Sequence, residues 1–307
     1  MNVFILIVVN VIVPVFTLIG AGIFLQRKFK LDMNTLSKLN AFFLMPAVSF
    51  LNIYDSKIGG MLLYILGFLL LQSSALIAFS TVASKLAKLD KSTSSTFKNS
   101  VVLINSGNFG LPVSQLVFPN NPLGASVQVV VMIYQNLLTN TYGLINAVAG
   151  GSSGLKEAVR ELLKNPVFYA FLAGLLLNLL KVPMPAFLRN PIENTSNAFL
   201  AIALLTLGAQ SAYLKIRAVS APLLLSLAGR LIVSPVLAYA VITVMGLEGT
   251  VAQALFIASS FPTSRNSAIF ALEYGNQPEY AAQAVLLSTL LSSATVAAVV
   301  YLSNILF

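Results

Sequence analysis

Between Asn99 and Leu155 the chain carries no Lys, Arg, Asp or Glu, and inside that run stands Asn105-Ser-Gly-Asn-Phe-Gly-Leu-Pro112. An uncharged run of this length belongs at membrane depth. Gly107 and Gly110 are poor helix formers there, and Pro112 removes a backbone donor and crowds the preceding turn. The freed amides and carbonyls cannot turn to water in hydrocarbon, so protein or a wet cavity must enclose them. A second interruption, Ser259-Ser-Phe-Pro-Thr-Ser-Arg-Asn266, lies in the other half of the chain, with Pro262 standing 150 positions after Pro112. A single Gly or Pro in a membrane helix is usually a packing kink. Paired breaks in corresponding halves point instead to a transporter's binding site.

Composition fixes the class. Hydrophobic residues make up 57% of the 307 and charged residues 9%, against about 25% charged in an ordinary soluble domain. The apolar runs are also too long for the roughly ten-residue strands of an outer-membrane barrel. The reading is an all-α polytopic membrane protein. With no cysteine or histidine, disulfides, Cys/His metal sites and His proton relays are excluded. The net charge of +9 comes from residues between apolar spans, where it holds loops in the cytoplasm rather than binding nucleic acid.

Spans are expected near 3–25, 36–53, 60–83, 100–117 and 125–149, then 167–180, 198–213, 222–247, 251–274 and 281–307. Each is near the ~20 residues a bilayer needs, with tilt or breaks covering the exceptions. The first has no basic leader and no small-residue cleavage pattern, which reads as an uncleaved helix. Between the halves runs a linker over 150–165, beginning Gly150-Gly-Ser-Ser-Gly154. The pattern then restarts: Pro166-Val-Phe168 with Ala173-Gly174 repeats Pro14-Val-Phe16 with Ala21-Gly22, and Asn197-Ala-Phe199 echoes Asn40-Ala-Phe42. These short matches, in order and beside the paired breaks, indicate a duplication of 1–149 as 166–307.

Five spans per half is an odd number, so the second repeat enters the membrane from the opposite side. The expectation is ten transmembrane helices in two inverted five-helix repeats, with broken helices 4 and 9 crossing mid-membrane. Thirteen of the 18 Lys and Arg residues, from Arg27 to Arg217, follow spans 1, 3, 5 and 7, whereas Lys57, Lys181 and Arg189 fall on the other side. That asymmetry places both termini outside the cytoplasm, in a cell membrane.

At this point the sequence resembles the auxin efflux carrier family of the bile acid:sodium symporter-like superfamily, on Asn105-x-Gly-Asn-x-Gly-x-Pro112, the Pro262 break and the five-plus-five inverted repeat. The resemblance covers essentially the whole chain. It implies substrate beside the crossing, a scaffold of helices 1, 2, 6 and 7, a mobile transport domain of helices 3–5 and 8–10, and a homodimer. Arg265-Asn266 after Pro262 departs from a neutral crossover, so the plant members' indole acetate does not carry over.

The candidate substrate-binding residues are Asn105, Gly107, Asn108, Gly110, Pro112, Gln135, Asn136, Pro262, Arg265 and Asn266; no catalytic residue, metal ligand or cofactor is expected. Asn105 and Asn108 also suit helix caps. Gln128, Gln135, Asn136, Thr139 and Asn140 share neighbouring faces of span 5, where interhelical hydrogen bonds compete with a cavity lining. Ser288, Thr289, Ser292 and Ser293 read as small-residue packing. Arg230 is placed to snorkel from the cytoplasmic half of span 8. Glu273, at the cytoplasmic end of span 9, is a weak candidate for a coupling proton.

The reading is a secondary transporter that exports or exchanges a small organic anion by alternating access. Helix N-termini at the breaks carry partial positive charge suited to a carboxylate, and H+ or Na+ is the candidate coupling ion. The alternative is a sodium-coupled bile acid-type symporter, which would have to bind sodium without an acid near either break. An intramembrane transferase would need clustered carboxylates for Mg2+, and no Asp-rich motif is present, so an enzyme is not expected.

Overall fold

The structure is a computed structural model that describes residues 3–56, 59–148, 163–213 and 219–307. Lys57, Lys156, Glu157, Arg160, Glu161, Lys215, Arg217 and residues 150–162 of the linker lie outside the described residues. Among the described residues the chain is helical, and the one extended pairing is an isolated antiparallel bridge between Ile104 and Thr263.

Among the described residues, five helices are long and apolar enough to cross a membrane: α1 (Phe4–Phe29), α2 (Met33–Tyr54), α3 (Leu62–Leu86), α9 (Ala221–Met245) and α12 (Pro278–Leu306). Between α3 and α9 come α4 (Lys91–Val102), α5 (Leu111–Val117), α6 (Pro122–Leu138, continuing to Val148), α7 (Pro166–Leu179) and α8 (Ala186–Ser211). After α9 come α10 (Gly249–Ser259) and α11 (Arg265–Glu273). The first half of the broken element starts at Lys91, earlier than expected, because Asp90 caps it by accepting from the Ser92 and Thr93 amides at 3.0 and 3.1 Å. Lys91 and Lys98 are therefore helical rather than loop residues. Likewise α8 begins twelve residues before the apolar run, so Arg189 and Glu193 lie on its first turns.

Local sequence explains the helix ends. Asn121-Pro122 and Asn165-Pro166 each place an Asn cap before a Pro in the first turn, where the missing N–H costs nothing. At four places inside the longer helical elements, proline has a different companion. Pro14, Pro46, Pro112 and Pro235 each follow a five-residue π turn, over Val8–Ile12, Asn40–Leu44, Ser106–Gly110 and Gly229–Val233. Widening the turn moves the i−4 carbonyl away from the pyrrolidine ring, so the helix bends without ending.

Helices α1 and α8 run along each other, as do α2 and α7. Glycine permits both approaches: a Cβ on Gly22 would collide with the Leu205 carbonyl and one on Gly208 with that of Ile19, while one on Gly174 would lie 2.7 Å from the Phe50 carbonyl oxygen. Polar ties reinforce the group. Asn40 donates to Thr206 at 2.9 Å, and Arg189 forks onto Asp55 at 3.1 and 2.9 Å. Helices α3–α6 and α9–α12 pack into each other, joined by Gln72 on the Ser234 carbonyl (2.9 Å), Asn99 on that of Gly143 (2.9 Å) and Asn276 on that of Ala147 (2.6 Å). The two groups touch where α2 meets α6, with Ser126 donating to the Asn52 carbonyl at 2.6 Å.

Candidate functional site

The chain leaves helical geometry after Val102 and again after Ser259, and the two extended pieces pair with each other. The Asn105 amide donates to the Pro262 carbonyl at 2.9 Å, and the Ser264 amide to that of Leu103 at 2.8 Å. The Thr263 hydroxyl donates to the Ser100 carbonyl at 2.7 Å, and the Thr263 amide to Ser288 Oγ at 3.0 Å. Backbone groups that a membrane would leave unpaired are thus satisfied by the opposite break. Ser288, expected only to pack, is one of the partners.

Arg230 serves the same junction. Its guanidinium donates to the Val101 carbonyl at 2.8 Å, to that of Ser259 at 2.6 Å and to the Ser234 hydroxyl. Those carbonyls close α4 and α10, where helix dipoles are negative. The side chain is 1% exposed, so the snorkelling expectation is overturned: the inward carbonyls hold the charge that water would otherwise have drawn out.

Beside the junction lies a cavity of about 250 Å³. Seven of the ten sequence candidates line it: Asn105, Gly107, Asn108, Gln135, Asn136, Arg265 and Asn266. Gly110, Pro112 and Pro262 are not on its wall. Gly110 is instead a point of close packing, since a Cβ there would lie 2.6 Å from Gln128 Nε2 and 2.7 Å from the Phe261 ring. Gln128 itself is buried and donates to the Ser106 carbonyl at 2.8 Å, and Asn140 donates back to its own helix at 3.0 Å. Glu273 ends α11 exposed, away from the cavity.

The opposite wall comes from Ser37, Asn40, Ala41 and Met45 of α2 and Gln210 of α8. Sequence reasoning used Asn40 only as a repeat marker and overlooked Ser37 and Gln210; polar side chains on otherwise apolar helices were the available signal. Asn40, Gln135 and Gln210 each keep a buried side-chain oxygen without a protein partner. Among the cavity-lining residues there is no carboxylate and one cation, Arg265. Its half-buried guanidinium makes no hydrogen bond or ion pair within the described residues. A second, mostly apolar cavity of about 430 Å³ adjoins the first, sharing Arg265 and Gln210, running between Leu207, Ile269 and Val285 and including the Glu279 carboxylate in its lining.

A polar cavity between packed apolar helices, beside two joined helix breaks, is consistent with a membrane transport protein. The profile of the membrane transport protein family matches residues 7–300, and the chain belongs to that family, the auxin efflux carrier type. A protein of Rhizobium meliloti (strain 1021) named "Putative malonate transporter" is 26% identical over 179 residues, a match that spans 56% of this chain and 56% of that relative.

Proposed function

We propose that the protein is a secondary transporter that moves a small organic anion by alternating access, with the cavity at the paired breaks as its binding site. The observation that carries this reading is the Arg265 guanidinium, unpartnered within the described residues and facing a cavity of amide side chains. A planar fork of donors matches a carboxylate with two parallel bonds. Asn105, Asn108, Asn136 and Asn266 supply further donors around it, and the open oxygens of Asn40, Gln135 and Gln210 accept from a hydroxyl or water carried by the anion.

The cavity lies between the α1, α2, α7, α8 group and the remaining helices, as a carrier with a scaffold and a moving domain requires. Ten spans in two inverted repeats, both termini outside and export as the direction complete the proposal. The named relative makes malonate the first acid to try. A sodium-coupled version is weaker, because Arg230 already occupies carbonyl oxygens at the crossing that a bound cation would use.

The test is a thermal-shift series of mono- and dicarboxylates on purified protein. A ligand that binds only the folded state at a hundred times its Kd adds about 2.7 kcal/mol of stability. Stabilisation by acids is expected. Stabilisation only by cations or neutral solutes would overturn the assignment.

A further inference from the structure

The seam between α2 and α8 has a second polar pocket at its other end. It measures about 230 Å³ and is lined by Asn52 and Asp55 of α2, Ser196 and Asn197 of α8, and Gln115 and Phe118 following the α4–α5 break. On α2 the first cavity is lined from Ser37 to Met45 and the second from Leu51 to Asp55, so at 1.5 Å per residue about 9 Å of helix separates the nearest linings. Between them the seam is dry: Leu44, Val48, Phe199 and Ala203 are buried.

The lining of the two pockets corresponds through the repeat. Gln115 stands three residues after Pro112, as Arg265 stands three residues after Pro262. Gln115 lines the second pocket and Arg265 the first. Asn40 and Asn197, equivalent in the two Asn-Ala-Phe triplets, are also divided, in the opposite sense: Asn40 of the first half lines the first pocket and Asn197 of the second half the second. The Gln115 side-chain oxygen is buried without a partner, so its amide is not spent on holding the fold together.

We infer that the outer pocket is a second binding site for the same class of organic anion, the release vestibule of the inner one, with Gln115 holding the place that Arg265 holds inside. The inference rests on the transporter reading above and on its inverted repeat. A carboxylate leaving Arg265 meets a neutral amide next, with the Asp55 carboxylate close by and already paired to Arg189 at 2.9 Å. The anion is therefore held tightly at the inner face and loosely at the outer. A ligand that prefers one of two states draws the population toward it, so the anion gathers the protein in the inward-open state, and the weak outer site empties readily.

The chain contains no cysteine, so single thiols report each pocket without background. Ala41→Cys marks the inner wall and Asn197→Cys, at an exposed position, the outer. Labelling by a membrane-impermeant maleimide is measured in inverted vesicles for the first and in intact cells for the second. Malonate, or whichever acid of the thermal-shift series stabilises most, serves as the protecting probe. Protection of Ala41→Cys is expected at a lower concentration than protection of Asn197→Cys. Adding Gln115→Arg should lower the outer half-protecting concentration about tenfold or more, as a charge-assisted bond replaces a neutral one, and leave the inner value within about twofold. Should Gln115→Arg fail to insert, Gln115→Leu should raise the outer value instead. Outer protection that is absent, or unmoved by both Gln115 variants, overturns the inference while inner protection leaves the transporter reading standing. Loss of inner protection with every acid defeats both.

Discussion

Two arginines are buried near the crossing, and replacing them should have opposite effects. Arg265 makes no bond to the protein within the described residues, so Arg265→Ala leaves no buried donor or acceptor orphaned. Burying a guanidinium costs at least ~2.5–3.5 kcal/mol on insertion scales, so the variant should melt at or slightly above the wild-type temperature. Substrate affinity should behave differently. Two parallel charge-assisted bonds at ~1.5–3 kcal/mol each are lost. Even the lower total, about 3 kcal/mol, weakens Kd more than a hundredfold. Arg265→Lys keeps the charge without the fork and should bind with intermediate affinity. Asn108→Ala removes one neutral bond worth about 1 kcal/mol, roughly fivefold in Kd. Melting without ligand, followed by titration calorimetry with the best acid, separates stability from binding. Wild-type affinity in well-folded Arg265→Ala protein would refute the reasoning.

Arg230→Ala should do the reverse, lowering the melting temperature by several degrees while the folded fraction keeps its acid affinity, because the Val101 carbonyl loses its charged partner; unchanged melting would show that the junction does not need the guanidinium. Gly208→Leu should separate α1 from α8 at a cost of about 1–3 kcal/mol or more, since its side chain meets the Ile19 backbone, whereas Gly20→Ala, with open space at the Cβ position, should be silent by the same melting assay. Asp90 caps α4, and its bonds to Thr93 hold its carboxyl below the usual value of 3.8. Its contribution is present above that value and fades as pH falls through the lower folded one. The melting gap between wild type and Asp90→Ala should therefore stay constant from about pH 8 to about pH 5 and close only below about pH 3.8.

The breaks were readable because membrane depth leaves so few reasons for Asn, Gly and Pro to cluster, and the structure joins both at the Ile104–Thr263 bridge. Seven candidates reached the cavity wall for the same reason. What sequence missed depends on contacts between distant parts of the chain. Ser37 and Gln210 meet at 3.2 Å through elements 173 positions apart, and no local pattern announces such a pairing. Arg230 was misread because hydropathy treats every intramembrane charge as seeking water; here two helix ends supplied carbonyls in its place. The early starts of α4 and α8 show a related limit. Polar residues such as Lys98 and Arg189 are helical in fact, but an apolar window cannot include them.

The backbone exchange between the two breaks also sets a timetable for biosynthesis. The Leu103 carbonyl and the Asn105 amide find their partners in Ser264 and Pro262, which emerge from the ribosome about 160 residues later. At 5–20 residues per second, the first interrupted helix waits roughly 10–30 s with open amides and carbonyls in or beside the bilayer. Until then its two halves have no reason to remain aligned, and the nascent chain is at its most vulnerable to membrane proteases and dependent on whatever insertion factor shelters polar backbone. A ribosome stalled before Pro262 would leave a half-protein unable to pair the backbone of its own first break. Supplying the missing half in trans would release it, making this carrier a natural subject for split-chain complementation.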